Sequence, residues 1–242
     1  MISDSAFTKQ AITLIDLTDL SDDTTPEKTD ALITRALGLP IAVAAICIWP
    51  RFVAQAKARL AGNPIKVATV VNFPGGGDDI EATRLETREA LLHGADEIDL
   101  VLPWRALLAG RNEDATRMLR GVRQEIDDGA HLKVILETGA LPDEAAMRTA
   151  ARLALEEGAD FLKTSTGKTP VSATPEAARI LLDEIRMSGK HVGFKASGGI
   201  RTLEQARLYF DLAEQMMGTG WATPEHFRYG ASGLLDSLLE VI

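Results

Sequence analysis

Two lysines lie in short apolar segments, where their amines could act as nucleophiles. Lys163 follows Phe-Leu and Lys195 follows Gly-Phe, and a Thr-Ser or Ala-Ser pair comes after each lysine. In a strand, each lysine points to the face opposite its apolar neighbour, Leu162 or Phe194, so both point inward if helices cover the other face. A buried ammonium is either paired or loses its proton, and a neutral amine attacks carbonyl carbons to form a Schiff base. Taken alone, Lys163 is better explained as a strand-end side chain that reaches solvent or a carboxylate.

The second lysine segment favours the Schiff-base interpretation. One predicted helix separates Lys163 from Lys195, so a parallel strand–helix–strand unit would place them side by side. Two inward ammonium groups on neighbouring strands disfavour each other's charge, as a nucleophilic lysine requires. Asp99 follows a Gly-Ala-Asp triplet at the same offset as Lys163 and also points inward. Spacing supports two roles for Asp99 equally, as an acid–base partner of Lys163 or as a salt-bridge partner of another inward lysine such as Lys133.

The elements that must position these residues alternate between strand and helix. The predicted strands are Ile12–Thr18, Ile41–Ile48, Lys66–Phe73, Glu97–Leu102, Leu132–Thr138, the two lysine segments and Phe227–Ser232. The predicted helices are Pro26–Leu37, Pro50–Leu60, Asp79–His93, Trp104–Ala109, Asn112–Asp127, Pro142–Glu157, one starting after Thr174, Thr202–Met217 and Leu234–Val241. Eight strands, each followed by a helix, predict an α/β fold with one closed (β/α)₈ barrel over residues 1–242. An open doubly wound sheet is the alternative, but it usually has fewer strands and a topological switch point.

Composition excludes several classes of protein. With 242 residues, 45% hydrophobic and 25% charged, the chain can bury a large core. Its net charge of -9 and the lack of a basic stripe argue against nucleic-acid binding. Met1–Gln10 has no signal-peptide pattern, no apolar run approaches a membrane span, and the single cysteine fits a reducing compartment, so we expect a cytoplasmic protein. The four histidines show no ligand spacing, and we predict neither a metal nor a cofactor.

Glycine-rich loops follow the last two predicted strands. Ser197–Arg201 and Gly230–Gly233 lie where barrels of this kind usually hold a phosphate, with Arg201 or Lys168 able to add charge. The three glycines at 75–77 lack that position and predict a turn. Asp16 and Thr18 point inward near the carboxyl end of the first predicted strand. We interpret Cys47, on the second strand, as a small packing residue.

The lysine and aspartate motifs together closely resemble deoxyribose-phosphate aldolases. The motifs are Phe-Leu-Lys-Thr-Ser-Thr-Gly-Lys (161–168), Gly-Phe-Lys-Ala-Ser-Gly-Gly-Ile-Arg (193–201) and Asp-Glu-Ile-Asp-Leu-Val (96–101), and the similarity extends over essentially the whole chain. The resemblance implies a (β/α)₈ barrel that reversibly cleaves 2-deoxy-D-ribose 5-phosphate to acetaldehyde and D-glyceraldehyde 3-phosphate. It also implies roles for Lys163 as the Schiff-base lysine, Lys195 as the lysine that tunes it, and Asp99 as the proton-relay carboxylate.

The resemblance assigns further residues to the substrate site. It places Asp16, Thr18, Cys47 and Thr166 around the sugar, and Gly167, Gly198, Gly199, Gly230 and Ser232 around the phosphate. Gly233 stands where many bacterial members have a second serine, and the sequence lacks their tyrosine-ended C-terminal tail. The alternatives are another class I aldolase, such as a transaldolase-like enzyme, and a non-enzymatic phosphosugar-binding barrel. Since barrels of this kind often dimerise, a homodimer is an assembly to expect, with phosphorylated sugars and aldehydes as small-molecule partners.

Overall fold

Eight parallel strands close into one barrel in the order in which they occur along the chain, in a computed structural model that describes residues 3–126 and 129–241. This confirms the predicted fold class. The strands are β1 Ile15–Asp19, β2 Ala45–Ile48, β3 Lys66–Val71, β4 Glu97–Val101, β5 His131–Ile135, β6 Phe161–Lys163, β7 Gly193–Ser197 and β8 Phe227–Ala231. Their carboxyl ends therefore meet at one end of the barrel, where such folds place their sites.

Ten α-helices of the described chain surround the strands. They are α1 Asp4–Thr13, α2 Pro26–Leu37, α3 Val53–Arg59, α4 Ile80–Leu92, α5 Trp104–Leu108, α6 Asn112–Glu125, α7 Glu144–Glu156, α8 Pro175–Ser188, α9 Leu203–Met217 and α10 Leu234–Leu239, with 3₁₀ turns at Pro50–Phe52 and Thr138–Ala140. Thr25 and Thr174 cap α2 and α8 with Pro at the first turn, and Thr202 forms a capping box with Gln205 at the start of α9. These starts agree with the sequence prediction.

The first helix is the main error of the sequence prediction, which began with a strand at Ile12. Instead Ser3 caps α1, and Phe7, Ala11 and Ile12 are buried on one face of it. Since Ile12 belongs to that apolar helical face, the strand begins only at Ile15.

Two strands end earlier than predicted because the backbone becomes left-handed. Asn72 has φ 56° and Glu137 has φ 53°, so β3 ends at Val71 and β5 at Ile135. The predicted second strand also began too early, since β2 starts at Ala45. The predicted helix end at Asp127 lies outside the described residues.

The repeated Gly-Ala-Asp triplets have a structural role at the amino ends of the strands. The Asp96 carboxylate accepts the Val67 N–H at 2.8 Å and forms a salt bridge with Lys57. The Asp160 carboxylate accepts the Leu132 N–H at 2.7 Å and forms a salt bridge with Arg123. Each aspartate thus ties its own strand to the preceding one. This arrangement fixes the register in which Asp99 and Lys163 follow.

Most of the apolar core lies between the barrel and its helices, and polar groups occupy much of the barrel interior. Outward side chains such as Leu162, Phe194 and Leu100 belong to that outer core, while a small inner cluster contains Ala45, Cys47 and their neighbours. In the parallel register Lys163 lies opposite Lys195, and Asp99 lies opposite Lys133. The strand alternation therefore collects the charged side chains inside the barrel.

Candidate active site

Seven charged side chains are buried together inside the barrel, each no more than 4% exposed. They are the cations Lys133, Lys163, Lys195 and Arg228 and the carboxylates Asp16, Glu97 and Asp99. With all seven charged, four cations would face three carboxylates. An uncompensated buried charge is very costly, so the balance favours the loss of one proton from one of the lysines.

Asp99 is at the centre of this cluster. Its Oδ2 accepts from Nζ of Lys163 and of Lys195, both at 2.7 Å, and its Oδ1 accepts from Nζ of Lys133 at 3.0 Å. Burial alone would raise the pKa of Asp99, but the three ammonium positions hold it well below its usual range. The salt bridge to Lys133 is thus present, and the same carboxylate also contacts Lys163, the lysine for which an acid–base role was the alternative.

Lys195 is the better compensated of the two facing lysines. Its Nζ donates to Asp16 Oδ2 at 2.5 Å as well as to Asp99. Burial lowers the pKa of Lys195, but the attraction of Asp16 and Asp99 outweighs it, and the pKa lies above the ordinary value. Lys195 therefore remains an ammonium.

Lys163 is the least compensated lysine of the cluster. Within the described chain it forms a salt bridge to one carboxylate, Asp99. Burial is the largest influence and lowers the pKa of Lys163; Asp99 opposes this shift and the Lys195 charge adds to it, and the pKa ends below its ordinary value. Lys163 is therefore the lysine of the cluster whose ammonium form is least favoured.

The charged cluster contains Arg228, a residue that the sequence interpretation missed. Arg228, on β8, donates to Asp16 at 2.6 Å and to Glu97 at 2.9 Å, and Lys133 also donates to Glu97. Arg228 has the same parity as Gly230, so alternation on β8 already placed it inside the barrel. With Lys195 and Arg228 bound to it, Asp16 lies in this charged cluster rather than in the wall of the cavity described next.

A cavity of about 400 Å³ opens at the carboxyl ends of the strands, lined by residues at the ends of β1, β7 and β8 and in the loop after β6. Its lining includes most of the residues predicted for the sugar and phosphate: Thr18, Thr166, Gly167, Gly198, Gly199, Gly230 and Ser232. Lys168 and Arg201 also line it, so two cations accompany the glycine loops. Cys47 is fully buried in the inner apolar cluster, and burial raises the pKa of its thiol. The lining does not include the other predicted site residues, which are Asp16, Cys47, Asp99, Lys163 and Lys195.

Two glycines make close approaches that the cavity needs. A Cβ on Gly230 would lie 2.7 Å from Ser197 Oγ and 3.0 Å from Lys195 Cε, so a side chain there would displace Lys195. Gly198 has φ +87°, and a Cβ on it would lie 2.6 Å from Ser172. Both loops therefore bring bare backbone to the cavity, where N–H groups can bind an anion.

Residues 3–126 and 129–241 show neither a metal-binding cluster nor a membrane-spanning helix. These residues contain no group of three His, Cys, Asp or Glu side chains arranged to hold a metal ion. In the same part of the chain, no helix is long and apolar enough to cross a membrane.

Comparison with known proteins connects this geometry to a family. Residues 10–232 match the family model described as DeoC/LacD family aldolase. The chain is 51% identical over 232 residues to a deoxyribose-phosphate aldolase of Agrobacterium fabrum (strain C58 / ATCC 33970), covering 96% of this chain and 90% of that protein. A crystal structure from Coccidioides immitis has a TM-score of 0.85 and 29% identity, covering 96% of this chain and 86% of that one. A tetrameric deoxyribose phosphate aldolase from Aeropyrum pernix has a TM-score of 0.77 and 25% identity, covering 99% and 94%.

Proposed function

The chain belongs to the DeoC/LacD aldolase family, and we propose that it reversibly cleaves 2-deoxy-D-ribose 5-phosphate to acetaldehyde and D-glyceraldehyde 3-phosphate. The observation that carries the proposal is the contrast between the two facing lysines. Lys163 has one carboxylate partner and a lowered pKa, whereas Lys195 has two partners and a raised pKa. One lysine is thus prepared to attack a carbonyl, and the other supplies a fixed positive charge beside it.

The reaction begins with attack of the neutral Lys163 amine on C1 of the open-chain sugar. Proton transfers convert the carbinolamine to an iminium with loss of water. The C2–C3 bond then breaks, its electron pair flows into the iminium to form an enamine, and the C3 hydroxyl loses its proton to become the aldehyde of D-glyceraldehyde 3-phosphate. Protonation of the enamine at C2 and hydrolysis release acetaldehyde and restore the amine.

Asp99 is the group that we assign to these proton transfers. Its Oδ2 contacts both amines, so the carboxylate lies one hydrogen bond away from the Lys163 nitrogen, where protons are gained and lost during the reaction. The positive iminium on Lys163 takes the place of the ammonium that Asp99 would otherwise pair with. The iminium again sets four cations against three carboxylates, so the cluster favours the electron flow that converts the iminium to the neutral enamine.

The glycine loops are the proposed phosphate site. Gly198, Gly199 and Ser232 line the same cavity as Lys168 and Arg201. Backbone N–H groups at such loops bind phosphate oxygens, and the two cations add long-range attraction. A phosphate held there would direct the sugar chain down the cavity toward Lys163.

Borohydride trapping tests this function and separates it from its alternatives. Incubation with acetaldehyde and borohydride should add one ethyl group, which peptide mapping places on Lys163; Lys163→Met serves as the unlabelled control. Trapping with a ketose in place of acetaldehyde would indicate a transaldolase-like enzyme. Labelling at Lys195, or no labelling at all, would contradict the assignment, and no labelling is what a non-enzymatic phosphosugar-binding barrel would give.

The assembly, location and domain span stay predictions. We propose a homodimer in the cytoplasm, with residues 1–242 forming one domain. The relative from Aeropyrum pernix is described as a tetramer, so sedimentation measurements on this protein should decide between two and four subunits.

A further inference from the structure

Glu137 is a buried carboxylate beside the candidate site whose role the proposed reaction does not explain. Its side chain is fully buried, and its backbone is left-handed, with φ 53° and ψ 54°. Non-glycine residues rarely adopt that conformation, and it concentrates at functional sites.

The left-handed backbone belongs to a bulge in the pairing that continues beyond β5 and β6. Leu136 N–H donates to the Lys163 carbonyl and Thr138 N–H donates to the Thr164 carbonyl, both at 2.9 Å. The chain thus advances two residues on one side and one on the other, which leaves Glu137 as the extra residue. Bulges of this kind redirect a side chain. Here the Glu137 carboxylate contacts the loop that follows β6.

Hydrogen bonds from this loop converge on the Glu137 carboxylate. The Thr166 hydroxyl donates to Oε2 at 2.6 Å, and the Thr166 N–H donates to Oε1 at 3.3 Å. The Thr169 hydroxyl lies 3.1 Å from Oε1. The turn around Glu137 also packs directly on the loop, because a Cβ on Gly139 would lie 2.1 Å from the Val171 carbonyl oxygen. The bulge is therefore a platform for residues 166–171.

These contacts determine what the Thr166 hydroxyl can offer to a substrate. A hydroxyl has one proton and two lone pairs. Its proton is directed to Glu137, and its oxygen already accepts the Lys168 N–H at 3.0 Å. One lone pair remains on the side chain that lines the cavity. Toward the cavity, Thr166 therefore accepts a hydrogen bond and does not donate one.

We propose that Glu137 is a positioning residue that fixes Thr166 as an acceptor for one substrate hydroxyl. The inference rests on the proposed aldolase function. Along the chain Thr166 stands between Lys163 and Gly167, and it lines the cavity together with Gly167 and Lys168. The C3 hydroxyl becomes the product carbonyl, so the hydroxyl left between the bond that breaks and the phosphate is that on C4. In the synthesis direction, it is the C2 hydroxyl of D-glyceraldehyde 3-phosphate.

The test compares two acceptor aldehydes in synthesis with acetaldehyde. One is D-glyceraldehyde 3-phosphate, and the other is 3-phosphooxypropanal, which lacks only the hydroxyl. The wild type should prefer the hydroxylated aldehyde by about ten-fold in kcat/KM, the size expected for one hydrogen bond. In Glu137→Gln an amide NH₂ group replaces one carboxylate oxygen that accepts from a threonine hydroxyl. Thr166 is then no longer fixed as an acceptor, so the preference for the hydroxylated aldehyde should fall to about two-fold. Thr166→Val should lose the preference equally, and Thr166→Ser should keep it.

A double-mutant cycle shows whether Glu137 acts through Thr166. If it does, Glu137→Gln combined with Thr166→Val should lose no more of the preference than Thr166→Val alone. Full preference in Glu137→Gln, or additive losses in the double variant, would overturn the inference, since a purely structural role lowers stability without changing the ratio. If Glu137→Gln does not fold, Glu137→Asp can replace it in the test, because the shorter side chain moves the carboxylate away from the Thr166 hydroxyl. Absence of acetaldehyde trapping on wild-type Lys163 would instead contradict the proposed function.

Discussion

Lys163 and Lys195 lie opposite each other on neighbouring strands and share one oxygen, Asp99 Oδ2, at 2.7 Å from each Nζ. Lys195 has Asp16 as a second partner, and Lys163 has no second carboxylate partner within the described chain. The two lysines thus share one acceptor oxygen but differ in the number of carboxylates that they contact. This difference is why their pKa values move in opposite directions. Because four cations face three carboxylates in the cluster, Lys163, with the fewest carboxylate partners, is the lysine whose ammonium form is least favoured.

Replacing Lys195 should change the pH at which the enzyme works. In Lys195→Leu, three cations face three carboxylates, so Lys163 can stay protonated and its pKa should rise. Activity at neutral pH should fall by orders of magnitude, and part of it should return under alkaline conditions. The measurement is kcat/KM against pH. Lys195→Arg retains the charge and is the matched control: its pH optimum should stay near that of the wild type even if its rate is lower. An unchanged profile in Lys195→Leu would contradict the charge-balance argument.

Two lysine-to-methionine variants should change stability in opposite directions. Lys163→Met removes the poorly compensated amine and should raise the free energy of unfolding by about 1 kcal/mol while abolishing activity. Lys133→Met removes the partner of Glu97 and Asp99 and should lower it by about 3 kcal/mol. Urea denaturation at pH 7 measures both. Equal effects of the two variants would show that Lys163 is no less compensated than Lys133.

The pH dependence of stability provides a second test of the Lys163 amine. Since its pKa is lowered in the folded protein, the unfolded chain binds more protons between the folded and unfolded values. The free energy of unfolding should therefore rise with pH until the unfolded pKa of about 10.4 is reached. Urea denaturation of the wild type and Lys163→Met in steps from neutral pH to about pH 10.4 should show that the variant lacks this contribution. Parallel curves would mean that Lys163 keeps its proton on folding.

Sequence patterns sufficed for the barrel because local and global preferences agree in it. Thr25, Thr174 and the Thr202–Gln205 pair begin helices in the sequence and in the structure alike. Alternation on β6 and β7 likewise fixes the side to which each lysine points. Alternation could not show which side chains meet across the barrel. The contacts of Asp99 with both Lys133 and Lys163 therefore became visible only in the structure.

Sequence reasoning missed Arg228 and Glu137 because each is an exception to the usual patterns. Arg228 followed the alternation of β8, but arginine is usually exposed, and its burial is explained only by Asp16 and Glu97 across the barrel. Glu137 departs from alternation, since a left-handed residue in a bulge has no reliable signature unless it is glycine. Both residues require knowledge of which segments face each other.

Adding a methyl group to Gly230 should impair catalysis specifically. Its Cβ would lie 3.0 Å from Lys195 Cε, so Gly230→Ala should move the ammonium and lower kcat by about ten- to a hundred-fold. Gly233→Ala is the control in the same loop, because a Cβ there meets nothing within 4 Å and its φ is −98°. Steady-state kinetics of both variants should show a large kcat effect for Gly230→Ala alone. Similar losses in both would indicate a general effect on the loop.

Gly233→Ser should strengthen phosphate binding. Gly233 follows Ser232 of the cavity lining. With φ −98°, its backbone accepts a side chain without strain. A hydrogen bond to a charged group is worth roughly 1.5–3 kcal/mol, and solvent access should reduce the gain to about 1 kcal/mol. KM for 2-deoxy-D-ribose 5-phosphate should therefore fall about five-fold, whereas kcat and the KM for unphosphorylated deoxyribose should hardly change, because the phosphate lies away from the bond that breaks. Steady-state kinetics with both sugars measures this difference. Equal changes for the two sugars would mean that position 233 does not face the phosphate, and the assignment of this loop would have to be abandoned.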